Sequence, residues 1–170
     1  MGLRVAITGT PGTGKTSAVA ALDTPLEVID LNAAIVQQGL TSGHDVDRDT
    51  AIADLDAIQH WLADRDDIII DSHLAHYLDV DLVIVLRCEP DELRRRLLER
   101  GESTAKADEN AASERLDLIL VAAVERHDPA IIHEIDTTTL SPDAVASHIA
   151  RIITESYRPG FGSVSYLDSP

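Results

Sequence analysis

Eight residues near the N-terminus restrict this chain more than any other part of its sequence. Residues 9–16 read GTPGTGKT and match the pattern G-x-x-x-x-G-K-[ST] without a gap. Leu3–Thr8, just before them, is the short apolar run of a buried strand, and the Ala-rich stretch Lys15–Leu22 predicts a helix. A glycine-rich turn between a strand and a helix points several backbone N–H groups inward, where they can bind an anion. The helix that follows adds its positive N-terminal end to the same site. The pattern therefore predicts a site for the phosphate groups of a nucleotide.

Four residues of this loop have roles that their chemistry suggests. Gly12 and Gly14 allow the backbone to approach a phosphate closely. Lys15 supplies a positive charge to the β- and γ-phosphates, and the hydroxyl of Thr16 can hold Mg²⁺. The sequence therefore predicts ATP as a ligand and Mg²⁺ as its cofactor.

A second part of the site is expected at the end of a later strand. Ile68, Ile69 and Ile70 predict a buried strand that ends at Asp71, at the sheet edge where open α/β sheets bind ligands. Asp71 is expected to hold Mg²⁺ directly or through water, and its alternative role is to cap the next helix. His73 is suited to orient a water molecule or a phosphate oxygen. We reject a zinc site here, because no cysteine and no clear third ligand lie nearby.

Alternating strands and helices predict a single α/β domain over residues 1–156, built on a five-stranded parallel sheet with helices on both faces. The predicted strands are Leu3–Thr8, Leu26–Asp30, Ile68–Asp71, Leu82–Leu86 and Ile131–Ile135. The predicted helices cover residues 15–22, 31–38, 50–64, 90–101, 111–127 and 142–155. Residues 41–49 are expected to form a loop, residues 102–110 a mobile segment, and residues 157–170 a loose C-terminal tail.

The charge of the chain is strongly negative. There are 30 Asp and Glu against 14 Lys and Arg, a net charge of −16, and only Lys15 and Lys106 are lysines. Such a surface repels phosphate backbones, so direct binding of DNA or RNA is not expected. An Asp-rich, Lys-poor surface is typical of proteins from salt-loving archaea, although a merely acidic protein is the alternative. Without a secretory signal, a membrane span or a disulfide framework, the expected location is cytoplasmic and no membrane partner is expected.

Several classes of P-loop protein are excluded by motifs that the chain lacks. It has no Asn-Lys-x-Asp guanine reader and no Ser-Gly-Gly transporter signature, and it is too short for a helicase motor. Small kinases remain. These carry an acceptor segment after the second strand, here about residues 30–54, and an arginine-bearing lid after the fourth, here about residues 100–110. The arginines near the predicted lid are Arg87, Arg94, Arg95, Arg96, Arg100 and Arg115.

Further motifs occur in a fixed order along the chain. After the phosphate loop they are Asp30-Leu31-Asn32, Asp47-Arg48-Asp49-Thr50, Asp71-Ser72-His73-Leu74, residues 83–88 (VIVLRC), Glu99-Arg100-Gly101 and Ile135-Asp136-Thr137-Thr138. In this order they resemble the adenylate kinase isoenzyme 6 family, including its archaeal members. The resemblance covers about residues 3–155, and the Asp-x-His and Leu-Arg-Cys elements are its most selective parts.

This resemblance implies an adenylate kinase-like fold that transfers the γ-phosphate of ATP to AMP with Mg²⁺, giving two ADP. It also implies ATP hydrolysis and a role in maturation of the small ribosomal subunit, in which a small-subunit ribosomal protein is the partner. The residues that it places at ATP are Gly12, Gly14, Lys15, Thr16, Ser17 and Arg100. Asp71 and His73 would be a Walker B-type pair, and Arg100 the lid arginine.

The acceptor site is less completely specified. The family pattern has an arginine after the leucine of the acceptor segment, but this chain has Asn32-Ala33-Ala34 there. We assign the acceptor to Asp30, Arg48 and Arg87, with Arg48 as the replacement for the missing charge. Two alternatives to an adenylate kinase stay open: an ATPase that acts on a basic ribosomal protein, and a kinase for another small metabolite.

Overall fold

The computed structural model describes residues 2–46 and 50–167. Within them the strands are β1 Arg4–Thr8, β2 Glu27–Asp30, β3 Thr41–Asp45, β4 Thr50–Ala53, β5 Ile68–Asp71, β6 Leu82–Arg87 and β7 Ile132–Asp136. The α-helices are α1 Lys15–Ala20, α2 Leu31–Gln38, α3 Leu55–Trp61, α4 Pro90–Glu99, α5 Thr104–Arg115, α6 Leu118–Arg126 and α7 Pro142–Ile153.

Five of the strands form one parallel sheet in the order β2-β5-β1-β6-β7. Parallel neighbours need a crossover connection, and most of these crossovers contain a helix that covers one face of the sheet. The predicted α/β fold, with a five-stranded parallel sheet and helices on both faces, is confirmed. All five predicted strands are present within one residue of their expected bounds.

The central strand β1 feeds two separate hydrophobic cores because its side chains alternate between the faces of the sheet. Val5 and Ile7 pack on one face with residues of α1 and α7. Ala6 packs on the other face with residues of α2, α3 and α6. All three side chains are fully buried, which fixes the position of the strand that leads into the phosphate loop.

The register between β1 and β5 sets the geometry of the sheet edge. Ile7 lies opposite Asp71, and β2 places Asp30 opposite the same Asp71. The phosphate loop begins at Gly9, just beyond this edge. The carboxyl ends of three neighbouring strands therefore meet where the ligand site was predicted.

The segment between α2 and α3 differs from its prediction. Residues 41–46 were expected in a loop and residues 50–64 in one helix, but β3 and β4 form an antiparallel pair and α3 starts only at Leu55. Asp54 begins this helix because its carboxylate accepts a hydrogen bond from the N–H of Ala57 (3.0 Å). Ile52, which the helical spacing included, belongs to β4. Residues 47–49 lie outside the described part of the chain.

Two helices replace the expected mobile segment and the single helix after it. α5 begins at Thr104, where the hydroxyl of Ser103 caps the N–H of Lys106 (3.3 Å). Ala107 and Ala111 are buried, so this helix is packed. The predicted helix 111–127 is broken near Asp117, which has a φ of 54° and separates α5 from α6.

The C-terminal segment is attached to the sheet, contrary to the expectation of a loose tail. Glu134 in β7 donates its backbone N–H to the carbonyl of Gly160 (2.8 Å). Its carboxylate Oε2 accepts from the N–H groups of Gly162 (3.0 Å) and Val164 (3.2 Å). Tyr166 is 7% exposed. The backbone of this segment is thus held by hydrogen bonds to the buried residue Glu134.

No helix among the described residues is long and apolar enough to cross a membrane.

The acidic side chains lie mostly at the surface, as at Asp56, Asp64, Asp66 and Asp67. Their mutual repulsion opposes the compact state and is screened by salt.

We therefore expect the melting temperature to rise by at least about 3 °C between 0.1 M and 2 M KCl, the shift that about 1 kcal/mol gives in a domain of this size. Circular dichroism melts at both salt concentrations measure it. KCl is the appropriate salt, because sulfate strengthens apolar burial in any protein. A melting temperature independent of KCl would contradict the inferred surface repulsion.

Candidate functional site

The phosphate loop, residues 9–16, has a backbone that only glycine accommodates at two of its turns. Gly9 has a φ of 145°, and a Cβ there would lie 2.4 Å from the carbonyl oxygen of Leu86. Gly12 has a φ of 96°, and a Cβ there would lie 3.0 Å from Cγ of Leu97. Both positions would be strained by any side chain. Gly12 and Gly14 also line the cavity in front of the loop.

The loop is held in shape by its own threonines. The carbonyl oxygen of Thr10 accepts from the N–H (3.2 Å) and the hydroxyl (2.9 Å) of Thr13. The hydroxyl of Thr137, which follows β7, donates to the carbonyl of Thr13 (2.7 Å). These contacts fix the shape of the loop, as the backbone of an anion site requires.

Lys15 is folded back onto the loop. Its Nζ donates to the carbonyl oxygens of Gly9 (2.7 Å) and Thr10 (3.1 Å). Burial lowers the pKa of Lys15 to about 8, although the negative charges of Asp71 and Glu114 oppose this shift. A partly desolvated ammonium group at this position interacts strongly with any phosphate that replaces the two carbonyls.

Thr16 and Asp71 meet as predicted for a magnesium site. The hydroxyl of Thr16 donates to Oδ2 of Asp71 (2.9 Å). Burial raises the pKa of Asp71, while the Thr16 hydrogen bond and the charge of Lys15 act in the opposite direction. A hydroxyl and a carboxylate side by side fit Mg²⁺, which prefers oxygen ligands and needs few from the protein when it also binds phosphates.

His73 follows Asp71 by two residues and lines a cavity together with residues of α2 and β4. Burial lowers the pKa of His73, and the charge of Lys15 lowers it further. In its neutral form an imidazole has one nitrogen that donates and one that accepts a hydrogen bond. The role of orienting a water molecule or a phosphate oxygen stays a prediction for His73.

A cavity of about 400 Å³ opens on one side of the phosphate loop. Its lining residues are Gly12, Thr13, Gly14, Ser17, Arg96, Glu99, Arg100, Thr137, Leu140, Pro142 and Val145. The predicted ATP residues Ser17 and Arg100 thus share one cavity with the loop glycines, and Arg100 is close enough to lower the pKa of Lys15. The aliphatic end of the cavity, at Leu140 and Val145, suits a planar base.

A second cavity of about 420 Å³ lies between α2, β4 and His73. Its lining residues are Asn32, Ile35, Val36, Ala51, Ile52, Ala53, Leu55, His73, Leu74 and Tyr77. Asp30, predicted at the acceptor, lies at the edge of the sheet and caps α2 through the N–H of Ala33 (3.0 Å). The segment predicted to bind the acceptor therefore supplies most of this cavity.

Of the two arginines predicted at the acceptor, Arg48 lies outside the described residues. The prediction for Arg87 is wrong, because its side chain is 1% exposed and points into the protein. The guanidinium is paired with the carboxylates of Glu114, Asp117 and Glu134. These charges raise the pKa of Arg87 further above its ordinary value against the effect of burial. The Arg87 cluster, defined by these four residues, leaves no room for a substrate phosphate.

Four residues at or behind the loop were not predicted as site residues. Thr137 and Arg96 line the first cavity, and Thr10 and Glu114 form a buried hydrogen bond. Arg100, the residue that follows α4, comes one helical turn after Arg96, and this four-residue spacing was a usable signal. Glu114 gave none, because its partner Thr10 is 104 residues away in the chain.

Comparison with known proteins supports a nucleotide site. Residues 5–117 match the family model described as an AAA domain. A "Putative adenylate kinase" of Natronomonas pharaonis is 51% identical over 166 residues, covering 98% of this chain and 99% of that protein. The protein of the same name from Halobacterium salinarum is 50% identical over 167 residues with the same coverage. That of Methanosarcina barkeri is 38% identical over 182 residues, covering 96% of this chain and 97% of that protein.

Solved structures with low sequence identity share the fold. The shikimate kinase of Acinetobacter baumannii, in complex with shikimate, gives a TM-score of 0.62 at 13% identity and covers 92% of this chain and 95% of that one. The shikimate kinase of Bacteroides thetaiotaomicron gives 0.56 at 15% identity and covers 89% and 98%. At such identities the similarity concerns the fold alone.

The lowered pKa of Lys15 predicts an unusual reactivity. Trace acetylation of the folded chain should reach its half-maximal rate at Lys15 near pH 8, because the neutral amine is the reactive form and its pKa is about 8. Peptide mass spectrometry over a pH series measures this rate, with Lys106 as internal reference, and Mg-ATP should protect Lys15. A half-maximal rate near pH 10.5 would contradict the buried, partly desolvated environment.

The Arg87 cluster predicts a large loss of stability when its cation is removed. Arg87→Met should lower the free energy of unfolding by about 3–5 kcal/mol, since it leaves buried carboxylates without their partner. Arg94→Met is the matched control, because Arg94 pairs with Asp108 at the surface, where both side chains are about half exposed, and should cost at most about 1 kcal/mol. Urea unfolding compares them, and equal losses would show that the cluster contributes no more than a surface pair.

Proposed function

Because the chain belongs to the family of archaeal proteins named "Putative adenylate kinase", we propose that it transfers the γ-phosphoryl group of ATP to AMP and produces two ADP. The match to the AAA domain model supports the nucleotide-binding half of this proposal. The family name supports AMP as the acceptor. We propose in addition that the chain hydrolyses ATP at a slower rate.

One observation carries the proposal: the hydrogen bond from Thr16 to Asp71 joins the segments that line two cavities of similar volume. Gly14 and Ser17, on either side of Lys15 and Thr16, line the first cavity, and His73, two residues after Asp71, lines the second. An enzyme that only hydrolyses ATP needs one nucleotide cavity and a water molecule. A phosphotransferase needs a donor and an acceptor site on opposite sides of the transferred group. We assign the donor to the cavity of about 400 Å³ and the acceptor to the cavity of about 420 Å³.

The residues of the loop would act mainly by positioning and charge. On binding ATP, the ammonium group of Lys15 exchanges the carbonyls of Gly9 and Thr10 for phosphate oxygens. The backbone N–H groups of the loop hold the β-phosphate. Thr16 and Asp71 would hold Mg²⁺, which would supply positive charge to the phosphate oxygens of ATP.

We assign the lid to about residues 100–110 and the acceptor segment to about residues 30–54. Arg100 follows α4 at the mouth of the donor cavity, where closure would add its charge beside Lys15. His73 faces the acceptor cavity and would orient the acceptor or, without one, a water molecule. Incomplete closure then favours hydrolysis, so both activities follow from one site.

The net charge of −16 favours a second candidate function, that of the isoenzyme 6 family. An acidic surface complements a basic ribosomal protein. In this case the chain would hydrolyse ATP while acting on that partner during maturation of the small ribosomal subunit. The fold of the shikimate kinases leaves a third candidate, a kinase for another small metabolite.

ADP formation from Mg-ATP in 2 M KCl, with and without AMP, distinguishes these functions. We expect AMP to increase the rate strongly and Lys15→Ala to reduce kcat/KM by about a hundredfold or more, the loss typical of one electrostatic contact in a transition state. CMP, UMP and shikimate serve as other acceptors. Arg151→Ala is the charge-matched control, because Arg151 lies on α7 against Tyr157 and outside both cavities.

Three results would change the assignment. Slow, Lys15-dependent hydrolysis that AMP does not increase would remove the kinase as the main activity, and stimulation by a ribosomal protein would then establish the second candidate. Faster turnover with an acceptor other than AMP would favour the third. Full activity of Lys15→Ala would reject the site itself.

A further inference from the structure

The Arg87 cluster lies directly behind the phosphate loop and is bonded to it. Glu114 is 2% exposed, and its Oε1 accepts from Nε of Arg87 (2.8 Å) and from the N–H of Cys88 (3.1 Å). Its other oxygen, Oε2, accepts from the hydroxyl of Thr10. The side chain of Thr10 is therefore occupied by Glu114 behind the loop, and Thr10 itself is only 2% exposed.

Thr10 also accepts hydrogen bonds from two other residues of the loop. Its carbonyl oxygen receives hydrogen bonds from Thr13 and from Nζ of Lys15 (3.1 Å). A rotation of Thr10 would thus move the carbonyl that orients both of these residues. The bond to Glu114 is the contact that resists such a rotation from the side of the protein interior.

On its far side the cluster is closed by the C-terminal segment, residues 158–167. Glu134 pairs with Arg87 through Oε1, and its Oε2 accepts the N–H groups of Gly162 and Val164. The ring of Tyr166 covers the guanidinium of Arg87 at 5.4 Å from its centroid. The hydroxyl of Tyr166 lies 3.5 Å from that of Thr138, which lies two residues after the end of β7.

Three carboxylates share one guanidinium in this cluster. The stability of the cluster therefore also depends on the neutral groups that donate hydrogen bonds to these carboxylates. Glu134 has two backbone N–H groups, and Glu114 has one N–H and one hydroxyl. In a medium of low dielectric constant, removing a donor from one carboxylate changes the strength of the ion pair between that carboxylate and Arg87. Arg87 is common to both, so a change at Glu134 reaches Glu114 through one side chain.

We propose that the C-terminal segment is a strap that positions the phosphate loop for ATP, through Glu134, Arg87, Glu114 and Thr10 in that order. The strap contacts neither of the two cavities and holds the loop from behind. This inference rests on the binding of ATP in the proposed function and is independent of the acceptor.

A double-mutant cycle on the full chain tests the connection. Thr10→Val removes the hydroxyl at nearly constant shape, and Tyr166→Ala uncovers Arg87. Each should weaken binding of Mg-ATP about three- to tenfold, because each releases one end of the same network. Isothermal titration calorimetry with Mg-ATP in 2 M KCl measures the dissociation constants. The double variant should bind within about twofold of the weaker single variant.

Three variants serve as controls and safeguards. Thr10→Ser retains the hydroxyl and should restore most of the affinity. Ser17→Ala, which changes the donor cavity without touching the cluster, should combine with Tyr166→Ala multiplicatively within about twofold. If Tyr166→Ala does not fold, Val164→Pro replaces it, because proline removes the N–H that Glu134 accepts (3.2 Å).

The outcomes separate the strap from a merely stabilising tail. A tail that only stabilises the fold would lower the free energy of unfolding in urea and leave the ATP dissociation constant of the folded variants unchanged, which would overturn the proposal. A double variant whose loss equals the product of the single losses would overturn it as well. Coupled losses support the strap even if AMP transfer fails. A native chain that does not bind Mg-ATP overturns both the strap and the proposed function.

Discussion

The pairing of β1 with β5 is the constraint on which the site depends. It sets Asp71 beside the end of β1, where its carboxylate accepts a hydrogen bond from Thr16. Its charge also opposes the lowering of the pKa of Lys15. Both strands are buried on both faces, and a slip by one residue would exchange the two cores of the sheet. The chemistry of the loop is thus positioned by packing of residues that never contact a ligand.

Much of this arrangement could be predicted because its signals are local. The loop pattern, the flanking strand and the aliphatic run before Asp71 are each contiguous, and parallel topology then brings their ends together. The predictions for Gly12, Lys15, Thr16 and Asp71 needed no knowledge of distant contacts. The match to the AAA domain model, over residues 5–117, spans all four of these positions.

The rest depended on tertiary contacts that leave no periodic pattern. Arg87 followed a strand and lay among other arginines, so its sequence context suggested a phosphate ligand, but three carboxylates from distant parts of the chain bury it. The apolar spacing at Ile52 fitted a helix because strand and helix positions coincide over so short a stretch. The tail contained glycines and prolines, which indicate irregular backbone but not whether buried acceptors bind it.

The burial of Arg87 has a consequence for a molecule with so acidic a surface. Ions in solution weaken interactions between exposed charges but hardly reach a pair from which water is excluded. The chain therefore contains two electrostatic populations, an outer one that varies with ionic strength and an inner one that does not. A change in salt concentration would therefore alter the free energy of unfolding of the domain and its encounters with charged molecules, while the geometry around Arg87, behind the phosphate loop, stays constant.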